Sequence, residues 1–162
     1  MRLCVLSDTH IPDRYDKLPD ALVKEIKNAD LVIHAGDFTS IKVYQEIKAL
    51  NSNFKAVLGN MDSPELQPVL KQKETFTVQK RKIGLTHGIG RPDNLLETVR
   101  KSFDDTYDLV IFGHSHNALN EKIGKTIFLN PGSPTDKIFA TINSYAIIDL
   151  DKTININIVR VF

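Results

Sequence analysis

Short apolar runs that close on polar residues set the rhythm of this chain. Residues 3–7, LCVLS, form a continuous apolar run, the pattern of a strand covered on both faces. Within 18–29, Leu18, Leu22, Val23 and Ile26 recur at helical spacing, with Pro19 tolerated in the first turn. Residues 30–37, DLVIHAGD, read as a second buried strand. Residues 40–50 read as a second helix, N-capped by Ser40, with Val43, Ile47 and Leu50 on its inner face. Residues 54–60, FKAVLGN, supply a third strand. Strand, helix, strand, helix, strand predicts a parallel sheet with helices packed on it.

The pattern changes after residue 60. Residues 63–70 are a Pro-interrupted connection, and 75–88 read as two strands joined at a basic turn, Lys80 to Lys82. A helix over 92–103 precedes the apolar run of DLVIFGHSHNAL, 108–119. The remainder is mostly β: a hairpin over 121–133, then a second one turning at Asp151 to Thr153. No linker, internal repeat or low-complexity segment divides the chain, so one domain over 1–162 is expected.

Charge narrows the function classes. A formal net charge of +1 sets up no strong field, so neither nucleic acid nor an anionic membrane surface is implied as a partner. The cluster Lys71, Lys73, Lys80, Arg81 and Lys82 reads as a solvated hairpin tip that discourages edge pairing. The only cysteine, Cys4, lies in an apolar run, where a buried thiol is expected. No disulfide can form within the chain, which favours a reducing setting, and no apolar stretch reaches the ~20 residues that span a bilayer. The first apolar run breaks at Ser7 and Asp8, too soon for a signal peptide. A cytoplasmic protein is expected; nothing in the pattern fixes its oligomeric state.

Chemistry gathers where the strands end. SDTH follows the first strand, AGD the second and GN the third; LTHG and FGHSH close two later ones. In an open α/β sheet the carboxyl ends of parallel strands share one edge, where ligands bind. Asp8, His10, Asp37, Asn60, His87, His114 and His116 then converge from five loops. Singly each is weak: an aspartate after a strand is a common turn former, and Asn60 beside Gly59 is a turn signal. Common placement gives them weight. Two carboxylates, one amide and four imidazoles make a mixed nitrogen and oxygen set suited to divalent transition metals. Seven donors exceed one tetrahedral ion but suit two ions about 3.5–4 Å apart, with positions left for water and substrate. The fifth histidine, His34, lies inside the second strand and reads as a buried imidazole bonded to backbone.

The ordered motifs D-x-H, GD, GN, H and GH-x-H resemble the calcineurin-like metallophosphoesterase superfamily. The chain length and NPGS at 130–133 make the sequence similar to its small phosphodiesterase branch. That resemblance implies an α/β fold, a four-layer α/β/β/α sandwich with two mixed β-sheets and flanking helices. It implies Asp8, His10, Asp37 and His116 on one metal, with Asp37 bridging to a second held by Asn60, His87 and His114. The implied cofactors are two divalent transition-metal ions, manganese first, with nickel, iron, cobalt and zinc able to use the same set.

The implied reaction is hydrolysis of a small-molecule or nucleotide phosphodiester by a hydroxide shared between the metals. Asp37, Asn60 and His87 carry the catalytic roles, Asn60 by stabilising phosphoryl charge. Many larger members read GNH at the third motif; here Met61 follows Asn60, and a thioether donates no proton. Arg14, Arg91 and Asn117 lie in loops near motif residues and are candidates for substrate contact. Ser115 and Ser133 have no independent base once the histidines ligate metal. The alternative is a metal-binding scaffold of the same fold, like the retromer subunit, with little or no catalysis. A nucleotide-binding Rossmann domain is excluded, because SDTHIPD stands where its glycine-rich turn belongs.

Overall fold

A computed structural model describes residues 1–162. The order is β1 (Arg2–Leu6), α1 (Asp20–Asn28), β2 (Leu31–His34), α2 (Ile41–Leu50), β3 (Phe54–Ala56), β4 (Lys73–Val78), β5 (Arg81–Thr86), α3 (Leu95–Lys101), β6 (Leu109–Ile111), β7 (Leu119–Ile123), β8 (Thr126–Asn130), β9 (Ser144–Leu150) and β10 (Ile154–Arg160). One sheet runs β10-β9-β1-β2-β3 and the other β4-β5-β6-β8-β7. Both are mixed: β1, β2 and β3 are parallel, as are β5, β6 and β8, while hairpins add antiparallel strands at the margins.

The period of two along each strand builds the layers. On β1, Leu3 and Val5 face the second sheet, while Cys4 and Leu6 face α1 and α2. On β6, Leu109 and Ile111 point inward and Val110 points out toward Leu95 and Val99 of α3. Three apolar interfaces result: helices on sheet, sheet on sheet, and sheet on helix. Together they make the four-layer α/β/β/α sandwich. Each fully buried aliphatic side chain in them contributes about 1.5–3 kcal/mol relative to exposure.

Several boundaries differ from the sequence expectation. The second strand ends at His34 rather than Asp37, because Gly36 and Asp37 take positive φ (97° and 64°) and leave the ladder. The third ends at Ala56, with only Val57 bridging onward, to Lys71. The β4–β5 turn falls on Gln79 and Lys80, both at positive φ, while Arg81 and Lys82 already belong to β5. Residues 92–103 divide into a 3-10 turn (Pro92–Asn94) and the shorter α3. Pro19 stands just before α1 as its N-cap, whereas Ser40 caps α2 as expected, accepting from the Lys42 N–H at 3.2 Å. No helix is long and apolar enough to cross a membrane.

Candidate metal centre

The parallel strands β1, β2, β3, β5 and β6 deliver their carboxyl ends to one edge, and the loops there carry the seven expected residues. Five of them hold left-handed backbone: Asp8 (φ 52°), His10 (42°), Asp37 (64°), His114 (71°) and His116 (59°). Such backbone costs a non-glycine residue of order 1–3 kcal/mol and persists only where its surroundings impose it. Main-chain bonds do so here. The Asp8 N–H donates to Gly36 O at 2.9 Å, and the His10 N–H to Asp37 O at 3.1 Å. Two glycines allow the loops to close. A Cβ on Gly113 would lie 2.5 Å from Ser7 Oγ and 2.7 Å from Asp8 Oδ2, and one on Gly59 would lie 2.0 Å from Asp37 Oδ1. Only a bare Cα at 113 lets the His114 N–H donate to both Asp8 oxygens, at 3.0 and 3.2 Å.

Two contiguous groups of donor atoms result. Ligand atoms of Asp8, His10, Asp37 and His116, all buried, lie within 4.8 Å of one another. His116 Nε2 is 3.4 Å from Asp8 Oδ1, and His10 Nε2 is 3.4 Å from Asp37 Oδ2 and 4.0 Å from Asp8 Oδ1. In the second group, Asn60 Oδ1 stands 2.9 Å from both His87 Nε2 and His114 Nδ1. Those two nitrogens are 3.3 Å apart, and Asp37 Oδ2 is 3.3 Å from His87 Nε2. Asp37 Oδ2 therefore borders both groups. Two donors each ~2.1 Å from one cation stand about 3–4.2 Å apart, the spacing seen here. His10 Nε2 is the buried side-chain atom left without a hydrogen-bond partner, and a buried polar atom in that state costs about 1–3 kcal/mol. A divalent cation fits this donor set and would give His10 its missing partner.

Three imidazoles are aimed by the nitrogen that faces away. His87 Nδ1 donates to Ala35 O at 2.7 Å, His114 Nε2 to Gly90 O at 2.9 Å, and His116 Nδ1 to Asp136 Oδ2. Each of those oxygens only accepts, so whenever a ring is neutral its lone pair points into the cluster. Burial works against ionising Asp37, yet His10, His87 and the Met61 N–H at 2.7 Å hold its carboxyl far below the usual range. Burial likewise opposes a charged His87, but Asp37 and Asp8 outweigh it and raise this imidazole to about 9.

The other candidates resolve cleanly. His34 is fully buried, stacks on Phe38 at 3.8 Å and accepts the Gly36 N–H at 3.1 Å; burial first, then His87, drives its pKa well down. It supports the loop as a neutral ring. The Met61 side chain lies in solvent, and only its N–H serves the site. Ser133 is buried, donates to Asp8 O at 2.7 Å and accepts from the Asp136 N–H at 2.9 Å, a structural knot. Ser115 Oγ accepts from Asn130 at 3.0 Å. Asn117 ties the 139–141 loop by accepting the Thr141 N–H at 2.9 Å, Arg91 pairs with Asp93 at 3.3 Å, and the Arg14 guanidinium lies 5.2 Å over the Phe139 ring.

Sequence reasoning missed Asp136 and Asp62. Asp136 orients His116 from the loop after β8, and nothing in its local pattern marked it. Asp62 accepts from the Phe38 N–H at 2.6 Å and the Gly59 N–H at 2.7 Å, joining the second and third loops. The asparagine of NPGS donates from Nδ2 to Gly113 O at 2.7 Å, which fastens the H-x-H loop.

Loop-borne carboxylates and imidazoles on one edge of a two-sheet sandwich make a site suited to divalent cations. The chain belongs to the calcineurin-like phosphoesterase superfamily, whose domain profile matches residues 1–153. It is 38% identical over 139 residues to a Methanocaldococcus jannaschii protein named probable metallophosphoesterase, covering 83% of this chain and 69% of that one. It is 30% identical over 141 residues to vacuolar protein sorting-associated protein 29 of Schizosaccharomyces pombe, covering 83% and 73%. The solved structure of an archaeal phosphodiesterase superposes with a TM-score of 0.71 at 27% identity, covering 98% of this chain and all of that one.

Proposed function

We propose that this protein hydrolyses phosphodiesters with two divalent cations, manganese first among them. Asp8, His10, Asp37 and His116 would hold one, and Asn60, His87 and His114, with Asp37 shared, would hold the other. The carrying observation is the buried, unpartnered Nε2 of His10 facing two buried carboxylates. Bound cations supply positive charge for a phosphoryl group and lower the pKa of water toward ~7.

The residues of the chain do the rest. Asp8 and Asp37 neutralise part of the cation charge inside the fold. Asp136, Ala35 O and Gly90 O fix which nitrogen of His116, His87 and His114 is free. The first donor group is buried, whereas Asn60 is exposed and His114 partly so, and phosphate therefore approaches from the Asn60 side. Asn60 stands there to stabilise charge on phosphoryl oxygens. With the Met61 thioether in solvent, no side chain at that position protonates the leaving group, which favours esters of acidic alcohols. Nearby arginines are engaged: Arg91 by Asp93 and Arg14 by Phe139. That favours a monoanionic diester over a dianionic monoester.

The test loads metal-free protein with manganese, iron, nickel, cobalt or zinc and compares bis(4-nitrophenyl) phosphate with 4-nitrophenyl phosphate. Cation-dependent turnover with the diester preferred is expected, and Asp37→Asn and His87→Ala should abolish it. Failure with every cation overturns the proposal. It would instead favour a binding module, a reading supported by exposed Ile89 and Phe139 beside the site, the Phe139 ring 5.8 Å from that of His116.

A further inference from the structure

We propose that the free edge of β10 is an interface with a second copy of this chain, the two β10 strands pairing antiparallel about a twofold axis at Asn157. The inference does not rest on the phosphodiesterase reading. Each sheet has two edges, and three of the four are protected. β3 is three residues long, and Val57 beyond it bridges to Lys71. β4 opens with Lys73 and Glu74. β7 carries Glu121 and Lys122, and Lys122 lies opposite Ile127, on the face turned to the other sheet, where its charge opposes addition of a further strand. β10 has no such device. Its seven residues, ININIVR, pair with β9 in unbroken register, without proline, bulge or any charge before Arg160.

The backbone shows which groups are free. The Val161 N–H donates to Asn143 O and the Asp151 N–H to Thr153 O, so the odd-numbered residues of β10 bond to β9. The N–H and C=O of Ile154, Ile156, Ile158 and Arg160 therefore point outward, and none has a backbone partner. Such a row is a template for pairing with another chain, and the uncharged, β-branched ININIV segment suits strand addition. The row is symmetric about Asn157. Antiparallel pairing there sets Ile156 opposite Ile158 and Ile154 opposite Arg160, twice each; a bonded pair exchanges two N–H···O bonds, about eight in all. Asn157 meets its own copy at the narrow, non-bonded spacing of about 4.5 Å, and its exposed amide both donates and accepts. Like charges stay apart, because the two Arg160 side chains stand at opposite ends of the paired strands, about 20 Å apart and beyond the ~8 Å screening length. Ile158 and Arg160, with half-exposed Ile142, line a cleft of about 470 Å³ at the end of β10, and the pairing brings Ile154 of the second copy to its wall. A twofold closes the edge with one partner, so assembly stops at two copies.

The test is size-exclusion chromatography with light scattering on the full chain from about 1 to 100 μM. Wild-type protein should approach twice the mass of one chain as concentration rises. Asn157→Lys and Asn157→Asp should each halve that mass, because like charges then face each other at the axis, while the exposed position leaves the far-UV circular dichroism as in wild type. Mixing the two variants should restore the dimer, since only a twofold at residue 157 sets their opposite charges face to face. Asn155→Lys, opposite Val159 in this register, should keep it. A wild-type chain that stays monomeric at about 100 μM, a species larger than two copies, or a dimer that Asn157→Lys leaves intact overturns the proposal. So does a mixture of the two monomeric variants that fails to pair.

Discussion

Asp136 gives the sharpest handle on how the chain prepares its donors. The residue is fully buried, and its two oxygens have separate duties. Oδ1 accepts the Ile138 N–H at 2.7 Å and the Phe139 N–H at 3.2 Å, while Oδ2 accepts from His116 Nδ1. In Asp136→Asn the two backbone donors still require an oxygen, so the amide NH2 must take the Oδ2 position. It then meets His116 Nδ1 donor to donor. The ring relieves this by moving its proton to Nε2, the atom that faces Asp8 Oδ1 at 3.4 Å, and its lone pair leaves the cluster. Loss of such an outer partner costs about 10–100-fold in metal affinity, or roughly 1.4–2.7 kcal/mol. Calorimetric titration of metal-free protein with manganese at pH 7.5 reads this directly. Thermal unfolding of the metal-free variant should stay near wild type, because the backbone bonds survive. Asp136→Ala should also unfold earlier, having removed the acceptor of two partly buried N–H groups at about 0.5–1.5 kcal/mol each. Unchanged manganese affinity in Asp136→Asn would refute the claim that Asp136 sets the His116 tautomer.

Three further outcomes follow from the same geometry. Gly113→Ala forces a methyl to 2.5 Å from Ser7 Oγ; overpacking of this kind costs about 1–3 kcal/mol, a fall in Tm of roughly 3–10 °C at this chain length, read by scanning calorimetry. His87, raised to about 9 in the cation-free protein, is protonated at pH 7.5 and must release that proton to ligate. Manganese affinity should therefore fall about tenfold per pH unit below 9, and binding heat should vary with the ionisation enthalpy of the buffer; a buffer-independent heat contradicts this. Burial lifts the Cys4 thiol from 9.0 to about 12, so the native protein should not react with a disulfide reagent at pH 8 whereas the unfolded chain should. Because the folded chain keeps this proton while the unfolded chain releases it, stability should decline as pH rises from 9 toward 12.

What the sequence made legible were features carried by local pattern. Continuous apolar runs marked β1 and β6, and helical spacing of Leu22 and Ile26 marked α1. The candidate residues were readable because each follows a strand whose carboxyl end must share an edge with its parallel neighbours. Groups whose role depends on a distant contact were not. Asp136 meets His116 across 20 residues, and Ala35 O meets His87 across 52, with no signature in either segment. Strand ends were overextended for a related reason. The polar closures AGD and GN were counted with the apolar runs they follow, but Gly36 and Asp37 leave extended backbone to aim the carboxylate. The basic turn shifted because Gln79 and Lys80 take up left-handed backbone without glycine or asparagine to announce it.

The central claim is that five loops assemble two adjoining cation sites with Asp37 between them. Elemental analysis of metal-free protein equilibrated with manganese and freed of excess ion tests it most directly, alongside the Asn60→Ala/His114→Ala variant. The account predicts two ions per wild-type chain and one in the variant, with diester turnover lost alongside the second. A wild-type chain holding one ion or none, or a variant that keeps both, would contradict it.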